Sequence, residues 1–315
     1  MNNNPMISVV LPVYNAQNTI KESIDSIITQ SYTNWEMILI NDGSSDSTMD
    51  IVKSYKDERI KVYNNEGNKG LIYTLNRGVE LATGKYIARM DSDDIALPLR
   101  FEKQIEYMES NPKCIICGTF ARTFSNDNKK SRILKFEVSN TKIKHSLICA
   151  CCFAHPTVMI RTSVFQNTSI RYDENYPYAE DHKLWIDLMH LGEYHNIPEV
   201  LLRYRVSGTQ MSQSSKINRD VINNCHWHYL ECYLGEEIVV SLRKNPISLN
   251  SIKFLDSLTA NTHYIKKAFY LSLDKYSLKE FCYLFTSFDV FKYEPSFLLK
   301  FLKRMVVGKA PIIYS

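Results

Sequence analysis

The sequence lacks any apolar stretch long enough to cross a lipid bilayer. Its longest uninterrupted apolar run, residues 147–154, has eight residues, whereas a transmembrane helix needs roughly 18 or more. Residues 1–5 contain neither the basic cluster nor the apolar segment of a secretory signal. These absences favour a cytoplasmic protein.

Strong net charge and glycine-rich loops are also lacking. Lysine and arginine number 38 against 34 aspartate and glutamate residues, a net charge of only +4. That excess is too small for a typical nucleic-acid binder, and the aromatic residues follow apolar periodicity instead of forming an exposed platform. The ten glycines include no Gly-x-Gly-x-x-Gly segment, which argues against a nucleotidyltransferase or another phosphoryl-transfer enzyme.

The eight cysteines occur in a chain without an export signal, which argues against a disulfide framework. One alternative is a zinc site formed by Cys114, Cys117, Cys149, Cys151, Cys152 and His155. The spacing of these residues fits no common structural zinc pattern, and they lie within apolar runs. We therefore favour buried thiols that act as small apolar side chains.

Apolar runs alternate with amphipathic stretches through the first 110 residues. Strands are predicted at residues 7–11, 35–40, 60–63 and 86–90, and helices at residues 18–30, 47–55, 72–82 and 99–110. Thr19 and Glu22 have the spacing of a capping box, and Gly84 is placed to end the third helix. This alternation predicts an α/β fold with a mostly parallel, twisted sheet flanked by helices.

The second half of the chain has a weaker pattern. Residues 120–205 are irregular, apart from a predicted strand at 156–161 and a predicted helix at 180–190. From about residue 215 onward the chain is predicted to be helical and is rich in aromatic residues. We therefore expect a catalytic domain over residues 1–212 and a helical C-terminal region over residues 213–315.

Polar loops follow three of the predicted strands. They are Tyr14-Asn15, Asp42, and the run Asp91-Ser92-Asp93-Asp94. Ligands of parallel sheets bind at the carboxyl ends of strands, where these loops would meet. Three carboxylates in four residues repel one another unless a cation lies among them, and Mg²⁺ or Mn²⁺ prefers such oxygen ligands. The alternative is a solvated acidic turn that caps the next helix.

Several segments, in this order, resemble glycosyltransferase family 2, whose members are inverting enzymes with the A-type glycosyltransferase fold. They are Ile7–Asn15, Trp35–Thr48, Asn65–Gly70, Asp91–Asp93 and Ala179–Trp185, and the resemblance extends over about residues 6–210. It implies a nucleotide-sugar donor, a divalent metal ion and an acceptor hydroxyl. Within the family, this chain resembles the glycosyltransferases of bacterial surface-polysaccharide synthesis.

The resemblance also implies roles for individual residues. Asp93 would be the main metal ligand, aided by Asp91, and Asp181 would be the catalytic base with Glu180 beside it. The residues that would bind the donor, a UDP-sugar, are Pro12, Val13, Tyr14, Asn15, Asp42, Lys69, Asp91, Ser92 and Asp94. Each of these roles has a purely structural alternative. Asp42 would only cap a turn, Lys69 would be a solvated loop charge, and Glu180 and Asp181 would only begin a helix.

The acceptor side is implied by fewer residues. His155, Trp185 and Arg205 are the candidates, and Arg205 is an alternative contact for the donor diphosphate. Relatives often carry a histidine that can approach the metal near position 207, where this chain has Ser207. A histidine ligand from that segment is therefore not expected.

The C-terminal region contains a predicted basic amphipathic helix. Leu298, Phe301, Leu302 and Met305 have helical spacing, and residues 291–310 carry a net charge of +4. Such a helix can bind an anionic membrane surface. Together with the family resemblance, it implies a saccharide acceptor linked to a polyprenyl diphosphate. The alternatives are a helix packed on its own domain and, for the whole chain, a nucleotide-sugar-binding protein without catalysis.

Overall fold

A computed structural model describes residues 4–125, 131–147, 151–206 and 219–234. The chain divides into two units, and the described residues of the second are residue 147 and the helix at residues 219–234. The strands are β1 (Ile7–Val13), β2 (Trp35–Asn41), β3 (Ile60–Asn64), β4 (Tyr86–Arg89), β5 (Ile95–Ala96), β6 (Cys114–Phe124), β7 (Ile133–Leu134), β8 (Met159–Arg161) and β9 (Glu193–Arg205). The helices are α1 (Ile20–Ile28), α2 (Thr48–Lys53), α3 (Leu71–Leu81), α4 (Arg100–Ser110), α5 (Asn140–Ser146), α6 (Thr162–Gln166), α7 (Glu180–Leu188) and α8 (Arg219–Leu234).

The described strands form one sheet in the order β3-β2-β1-β4-β8-β6-β9-β5, with β7 paired to β6. The first four strands of this order are mutually parallel, as the sequence predicts. Val9 in the centre of β1 lies opposite Met37 on one side and Ala88 on the other. Strands covered on both faces are apolar along their whole length, which is why β1, β2 and β4 are almost continuously buried.

The other half of the sheet is mixed. Strand β8 runs antiparallel to both β4 and β6, while the long strands β6 and β9 are parallel to each other. The sequence predicts one strand over residues 156–161, but His155–Thr157 form a 3₁₀ turn and the strand is limited to Met159–Arg161. The buried amide of Gln104 donates to the carbonyl groups of Cys117 and Thr157, so α4 fixes this turn against β6.

Two local predictions are wrong for identifiable reasons. Thr19 precedes α1 but makes no side-chain capping bond, because its hydroxyl donates to the carbonyl oxygen of Ala16, and the Glu22 carboxylate pairs with Arg205. Helix α3 ends at Leu81, and Gly84 does not have the left-handed conformation of a helix terminator. A Cβ atom on Gly84 would lie 2.6 Å from the carbonyl oxygen of Met6, so the glycine permits close approach of the chain to the start of β1.

The cysteines of the first unit are free thiols, three of them buried. Cys114, Cys117 and Cys152 are at most 4% exposed. Burial raises the pKa of the Cys114 thiol to about 12, which keeps it protonated. Among the described residues, only the aspartates at 91–94 form a group of three potential metal ligands. The buried-thiol interpretation is confirmed for these three, whereas Cys149 and Cys282 lie outside the described residues.

Within the described residues, no helix combines the length and the apolar character that crossing a bilayer requires. The predicted basic helix at residues 291–310 lies outside the described residues. So do Ser207 and the rest of the segment that follows β9.

Candidate active site

The loops after β1 and β2 are joined to each other. Tyr14 is half exposed at the end of β1, beyond the buried Val13 and the partly buried Pro12. Asn15 adopts a left-handed conformation, with φ 48°, that asparagine tolerates better than most residues. Its N–H donates to the Ser44 hydroxyl at 3.0 Å, and its side-chain oxygen accepts from the Ser45 N–H at 2.9 Å. The two strand ends therefore present one continuous surface with an exposed aromatic ring.

Asp42 organises the loop of residues 65–70. Its carboxylate accepts hydrogen bonds from the Asn65 side chain at 2.7 Å, the Lys69 N–H at 2.8 Å and the Gly70 N–H at 2.9 Å. Asp42 therefore does more than cap the turn at Gly43. The bond to Asp42 fixes the backbone of Lys69. Its side chain is exposed, so the ammonium group is available to an anion.

The three aspartates after β4 lie close together, as the sequence predicts. Oxygen atoms of Asp91, Asp93 and Asp94 all lie within 4.8 Å of one another. Asp91 also forms an ion pair with the buried Arg89. Ser92, between Asp91 and Asp93 on the turn, is partly exposed. Rigid β4 thus aims a cluster of like charges at the carboxyl edge of the sheet.

Asp94 shows that the cluster fits a cation. Its side chain is 1% exposed, and its Oδ2 atom has no hydrogen-bond partner among the described residues. Burial, together with the charges of Asp91 and Asp93, raises the pKa of Asp94 well above its ordinary value. A hard divalent ion among these oxygens would remove the repulsion and satisfy the unpaired atom. The residues present therefore suit Mg²⁺ or Mn²⁺.

Arg205 contacts this aspartate turn. Its backbone N–H donates to Asp94 Oδ1 at 2.8 Å, and its Nε donates to the carbonyl oxygen of Asp93 at 2.7 Å. Its guanidinium also pairs with Glu22 on α1. Arg205 is only 6% exposed and contacts both the backbone of Asp93 and the carboxylate of Asp94. The acceptor-side role that the sequence predicts for it stays a prediction.

The acidic pair at the start of α7 has two different environments. Glu180 is 6% exposed, and its Oε2 has no partner among the described groups. Burial and the adjacent charge of Asp181 raise the pKa of Glu180 to about 7. Asp181 is partly exposed and accepts hydrogen bonds from the His182 N–H at 2.7 Å and from the Cys151 thiol at 3.1 Å. The pair does begin a helix, and it also supplies two distinct carboxyl groups.

A polar pair, the partly buried His155 and the buried Tyr172, interacts with charges of both acidic groups. His155 Nε2 is 3.0 Å from the Tyr172 hydroxyl, and burial lowers the pKa of His155 well below its ordinary value, so the ring is neutral. The charges of Arg89, Asp181, Glu180 and Asp91 all act on Tyr172, and Arg89 and Asp91 act on Glu180. The two acidic groups predicted from sequence therefore belong to one electrostatic neighbourhood.

Trp185 has an interior position. The residue is fully buried, packs edge-on against Phe153 and His155, and leaves its indole N–H without a partner among the described residues. Its predicted place on the acceptor side is not supported, since none of its surface is exposed. From its position on α7, the Trp185 ring packs against the His155 ring.

Three residues of the site were missed from sequence. Arg89, Tyr172 and Cys151 contact or polarise the predicted groups, yet none belongs to a recognised motif. The only available signal was at Arg89, where a charged residue interrupts the buried strand β4. A buried charge requires a partner of opposite charge, and Asp91 is that partner.

The fold and the site define the class of protein. The structure resembles Staphylococcus aureus TarS residues 1–349 in complex with UDP-GlcNAc, with a TM-score of 0.62, 18% sequence identity, and coverage of 85% of this chain and 82% of that one. It also resembles the mannosyltransferase PcManGT of Pyrobaculum calidifontis in complex with GDP-Man and Mn²⁺, with a TM-score of 0.53, 14% identity, and coverage of 93% and 82%. The fold is that of the A-type glycosyltransferases.

Sequence comparison gives the family. The glycosyl transferase family 2 profile matches residues 8–168, and the chain belongs to that family. An uncharacterized glycosyltransferase of Haemophilus influenzae is 34% identical over 325 residues, covering 97% of this chain and 98% of the relative. Escherichia coli WfgD is 31% identical over 210 residues, covering 67% and 79%. Its name is UDP-Glc:alpha-D-GlcNAc-diphosphoundecaprenol beta-1,3-glucosyltransferase. The protein is therefore a glycosyltransferase.

Proposed function

We propose that this glycosyltransferase moves a hexose or an N-acetylhexosamine from a UDP-sugar to an acceptor hydroxyl, with inversion at the anomeric carbon. The observation that carries the proposal is that the aspartate cluster after β4 and the acidic start of α7 both act electrostatically on Tyr172 and are both influenced by Arg89. One group suits a diphosphate with its metal ion, and the other suits a proton acceptor. Direct displacement needs both on the same reacting centre.

The donor would bind across the ends of β1, β2 and β4. Tyr14 offers an exposed ring for the uracil, and Asn15 and Asp42 fix the loops around it. Lys69 provides an exposed positive charge for the diphosphate. UDP-sugars are favoured as donors because the name of WfgD specifies UDP-Glc and TarS is similar in fold while bound to UDP-GlcNAc.

Asp93 and Asp91 would hold the metal ion, with Asp94 supporting it from the buried side. A bound Mn²⁺ or Mg²⁺ would act as a Lewis acid that stabilises charge on the leaving diphosphate. Asp91 would be oriented by its ion pair with Arg89. Ser92, on the same turn, would face the donor ribose or sugar.

Asp181 would act as the general base. The acceptor hydroxyl oxygen attacks the anomeric carbon, the bond from that carbon to the diphosphate breaks, and the hydroxyl proton passes to Asp181. A positioned base of this kind contributes about 10²–10⁴-fold to the rate. Partial exposure suits Asp181 to meet an acceptor, whereas buried Glu180, with its raised pKa, suits the supporting position.

The acceptor we propose is a saccharide linked to a polyprenyl diphosphate, used in O-antigen or capsule synthesis at the inner face of the cytoplasmic membrane. The lipid-linked acceptor in the name of WfgD supports it. The basic helix predicted at residues 291–310 also supports it, since anionic lipid headgroups attract such a surface. His155 remains a proposed acceptor-side residue through its contact with Tyr172.

A transfer assay tests the proposal. UDP-, GDP- and dTDP-sugars are supplied with Mn²⁺, Mg²⁺ or EDTA and a membrane extract as acceptor, and release of the nucleoside diphosphate is measured. We expect one UDP-sugar to react only with metal, and Asp93→Ala and Asp181→Asn to lose at least about a hundredfold in kcat. Asp187→Asn is the matched control, because Asp187 lies on the same helix and pairs with Lys183.

Each unexpected result has a definite meaning. Turnover that survives Asp181→Asn would assign the base to another residue. An absence of turnover with every donor, together with retained UDP binding, would instead identify a nucleotide-sugar-binding protein without catalysis.

A further inference from the structure

Arg205 joins three parts of the first unit at one point. It ends β9, contacts the turn at Asp93 and Asp94 through both its backbone and its side chain, and forms an ion pair with Glu22 on α1. Its guanidinium also lies over the Phe124 ring, 4.5 Å from the ring centre. A side chain held on so many sides has little freedom, so it can serve as a rigid support.

These contacts of Arg205 determine the orientation of the Asp93 and Asp94 side chains. The Asp93 carbonyl is anchored by Arg205 Nε, which fixes the backbone from which the Asp93 carboxylate projects. The Asp94 carboxylate is anchored through Oδ1, which leaves Oδ2 buried and without a partner among the described residues. Without such anchors, three neighbouring carboxylates would turn apart to reduce their repulsion.

We infer that Arg205 is a positioning residue for the divalent cation site, and that Glu22 acts through it. Arg205 holds the Asp93–Asp94 turn in the conformation that binds the ion, although it is itself a cation and cannot be a ligand. This inference rests on the metal site of the proposed function. It gives Arg205 a role different from the acceptor-side role predicted from the sequence.

The inference gives a prediction of definite sign. A nearby positive charge by itself repels Mn²⁺, so removing an arginine that acted only through its charge would strengthen ion binding. Removing an arginine that holds the ligands in place would weaken it. The two roles therefore change the dissociation constant in opposite directions.

The experiment measures Mn²⁺ binding to the full chain by electron paramagnetic resonance, without substrate. Arg205→Met removes the Nε bond to the Asp93 carbonyl but keeps the backbone N–H bond to Asp94. We expect it to raise the dissociation constant up to about tenfold, the size expected from losing one hydrogen bond to an ordered site. Arg205→Lys keeps the charge but not the planar fork, and we expect it to weaken binding as well. Unchanged or tighter binding in both variants would overturn the inference.

Arg203→Met is the matched control. Arg203 lies two residues earlier on β9, its guanidinium lies 4.3 Å from the centre of the same Phe124 ring, and its side chain is exposed. The variant loses one positive charge and one ring contact but no contact with the aspartate turn. We expect Mn²⁺ binding within about twofold of wild type; a loss as large as that of Arg205→Met would assign the effect to the contact with the Phe124 ring and overturn the inference.

A double-mutant cycle tests the part assigned to Glu22. If Glu22 acts through Arg205, Glu22→Gln weakens Mn²⁺ binding in the wild-type background and has no effect in Arg205→Met. Equal effects in both backgrounds would contradict that part. Wild type that binds no Mn²⁺, or Asp93→Ala that binds it normally, would refute the proposed metal site, a result distinct from failure of Arg205 alone.

Folding is monitored on the same samples by near-UV circular dichroism. If Arg205→Met loses its native spectrum, the cycle is built with Arg205→Lys, which retains the charge and most of the side-chain volume. Native Arg205→Lys protein with wild-type Mn²⁺ affinity would then overturn the inference.

Discussion

The Cys151 thiol donates a hydrogen bond to a carboxylate oxygen of Asp181, with a sulfur–oxygen distance of 3.1 Å. Burial and the charge of Asp181 raise the pKa of the Cys151 thiol well above its ordinary value, so it remains a protonated donor and not a reactive thiolate. The other carboxylate oxygen is held by the His182 N–H. Both oxygens of the proposed base are thus oriented by the protein.

Replacing Cys151 should therefore affect the chemical step. We expect Cys151→Ala to lower kcat about three- to tenfold with the donor KM unchanged, because a thiol is a weak donor and tenfold corresponds to about 1.4 kcal/mol. Cys151→Ser keeps a donor and should retain most of the activity. Cys152→Ala, which removes the adjacent buried thiol, is the control for packing. Equal losses in Cys151→Ala and Cys151→Ser would show that the hydrogen bond is not responsible.

Glu180 should make the metal-free protein less stable at higher pH. Its folded-state pKa of about 7 exceeds the ordinary value of 4.5, so folding favours its protonated form. The free energy of unfolding is therefore unaffected by Glu180 below about pH 4.5. It falls by up to about 3 kcal/mol as the pH rises from about 4.5 through the folded-state pKa of about 7. Glu180→Gln removes this penalty. We expect its melting temperature in EDTA to exceed that of wild type by several degrees at pH 8 and to match it near pH 4.5.

The control for this pH dependence is Glu80→Gln, since Glu80 is exposed on α3. Its melting temperature should differ from that of wild type equally at both pH values. A Glu180→Gln difference that does not change with pH would mean that Glu180 is not a buried, destabilising charge in the folded protein.

The first half of the fold was predictable because its signals are local. The strands β1 to β4 are short apolar runs, each ended by polar or turn-forming residues, and the sequence locates all four to within two residues. Parallel strands place their carboxyl ends at one edge. The meeting of Asp42 with the loop of residues 65–70, and of the aspartates with one another, follows from that arrangement.

The long strands β6 and β9 were not predictable in the same way. They pair across about 80 residues of chain, and their register shifts between Thr119 and Ala121. β9 also contains Pro198, so its exposed and buried positions do not alternate regularly. A period of two is the main sequence signal of a strand, and irregular pairing removes it.

The predicted residues of the site were found more easily than the contacts that hold them. Glu22 illustrates the difference, because its spacing from Thr19 indicated a capping box while its carboxylate actually pairs with Arg205, far away in the sequence. Similarly, nothing adjacent to Asp181 indicates its bond to Cys151. Such long-range side-chain pairs depend on the completed sheet, which local sequence patterns do not specify.

Gly43 and Gly67 provide a test of the loop arrangement around Asp42. Both have left-handed backbones, with φ of 79° and 85°, but a Cβ atom on Gly43 would lie 2.7 Å from the backbone of Gly67, whereas one on Gly67 would meet nothing within 4 Å. We expect Gly67→Ala to cost about 1 kcal/mol of unfolding free energy and Gly43→Ala at least about 2 kcal/mol. Urea denaturation measures both.

The same pair should differ in donor binding. Gly43→Ala must push the loop of residues 65–70 away from Asp42, so its KM for the donor should rise several-fold. Gly67→Ala leaves that contact in place and should bind the donor normally. Equal KM values in the two variants would indicate that the contact of this loop with Asp42 does not shape the donor site.

Removing the metal ion should lower thermal stability through the aspartate cluster. An ion that binds only the folded protein stabilises it by RT ln(1 + [L]/Kd), about 2.7 kcal/mol at a concentration of 100 Kd. We therefore expect Mn²⁺ to raise the melting temperature of wild type by several degrees over EDTA, and Asp93→Ala to abolish the rise. Asp57→Asn is the control, because Asp57 is an acidic residue paired with Arg59 outside the cluster. It should keep the full Mn²⁺ effect, whereas an undiminished effect in Asp93→Ala would locate the stabilising ion somewhere other than the cluster.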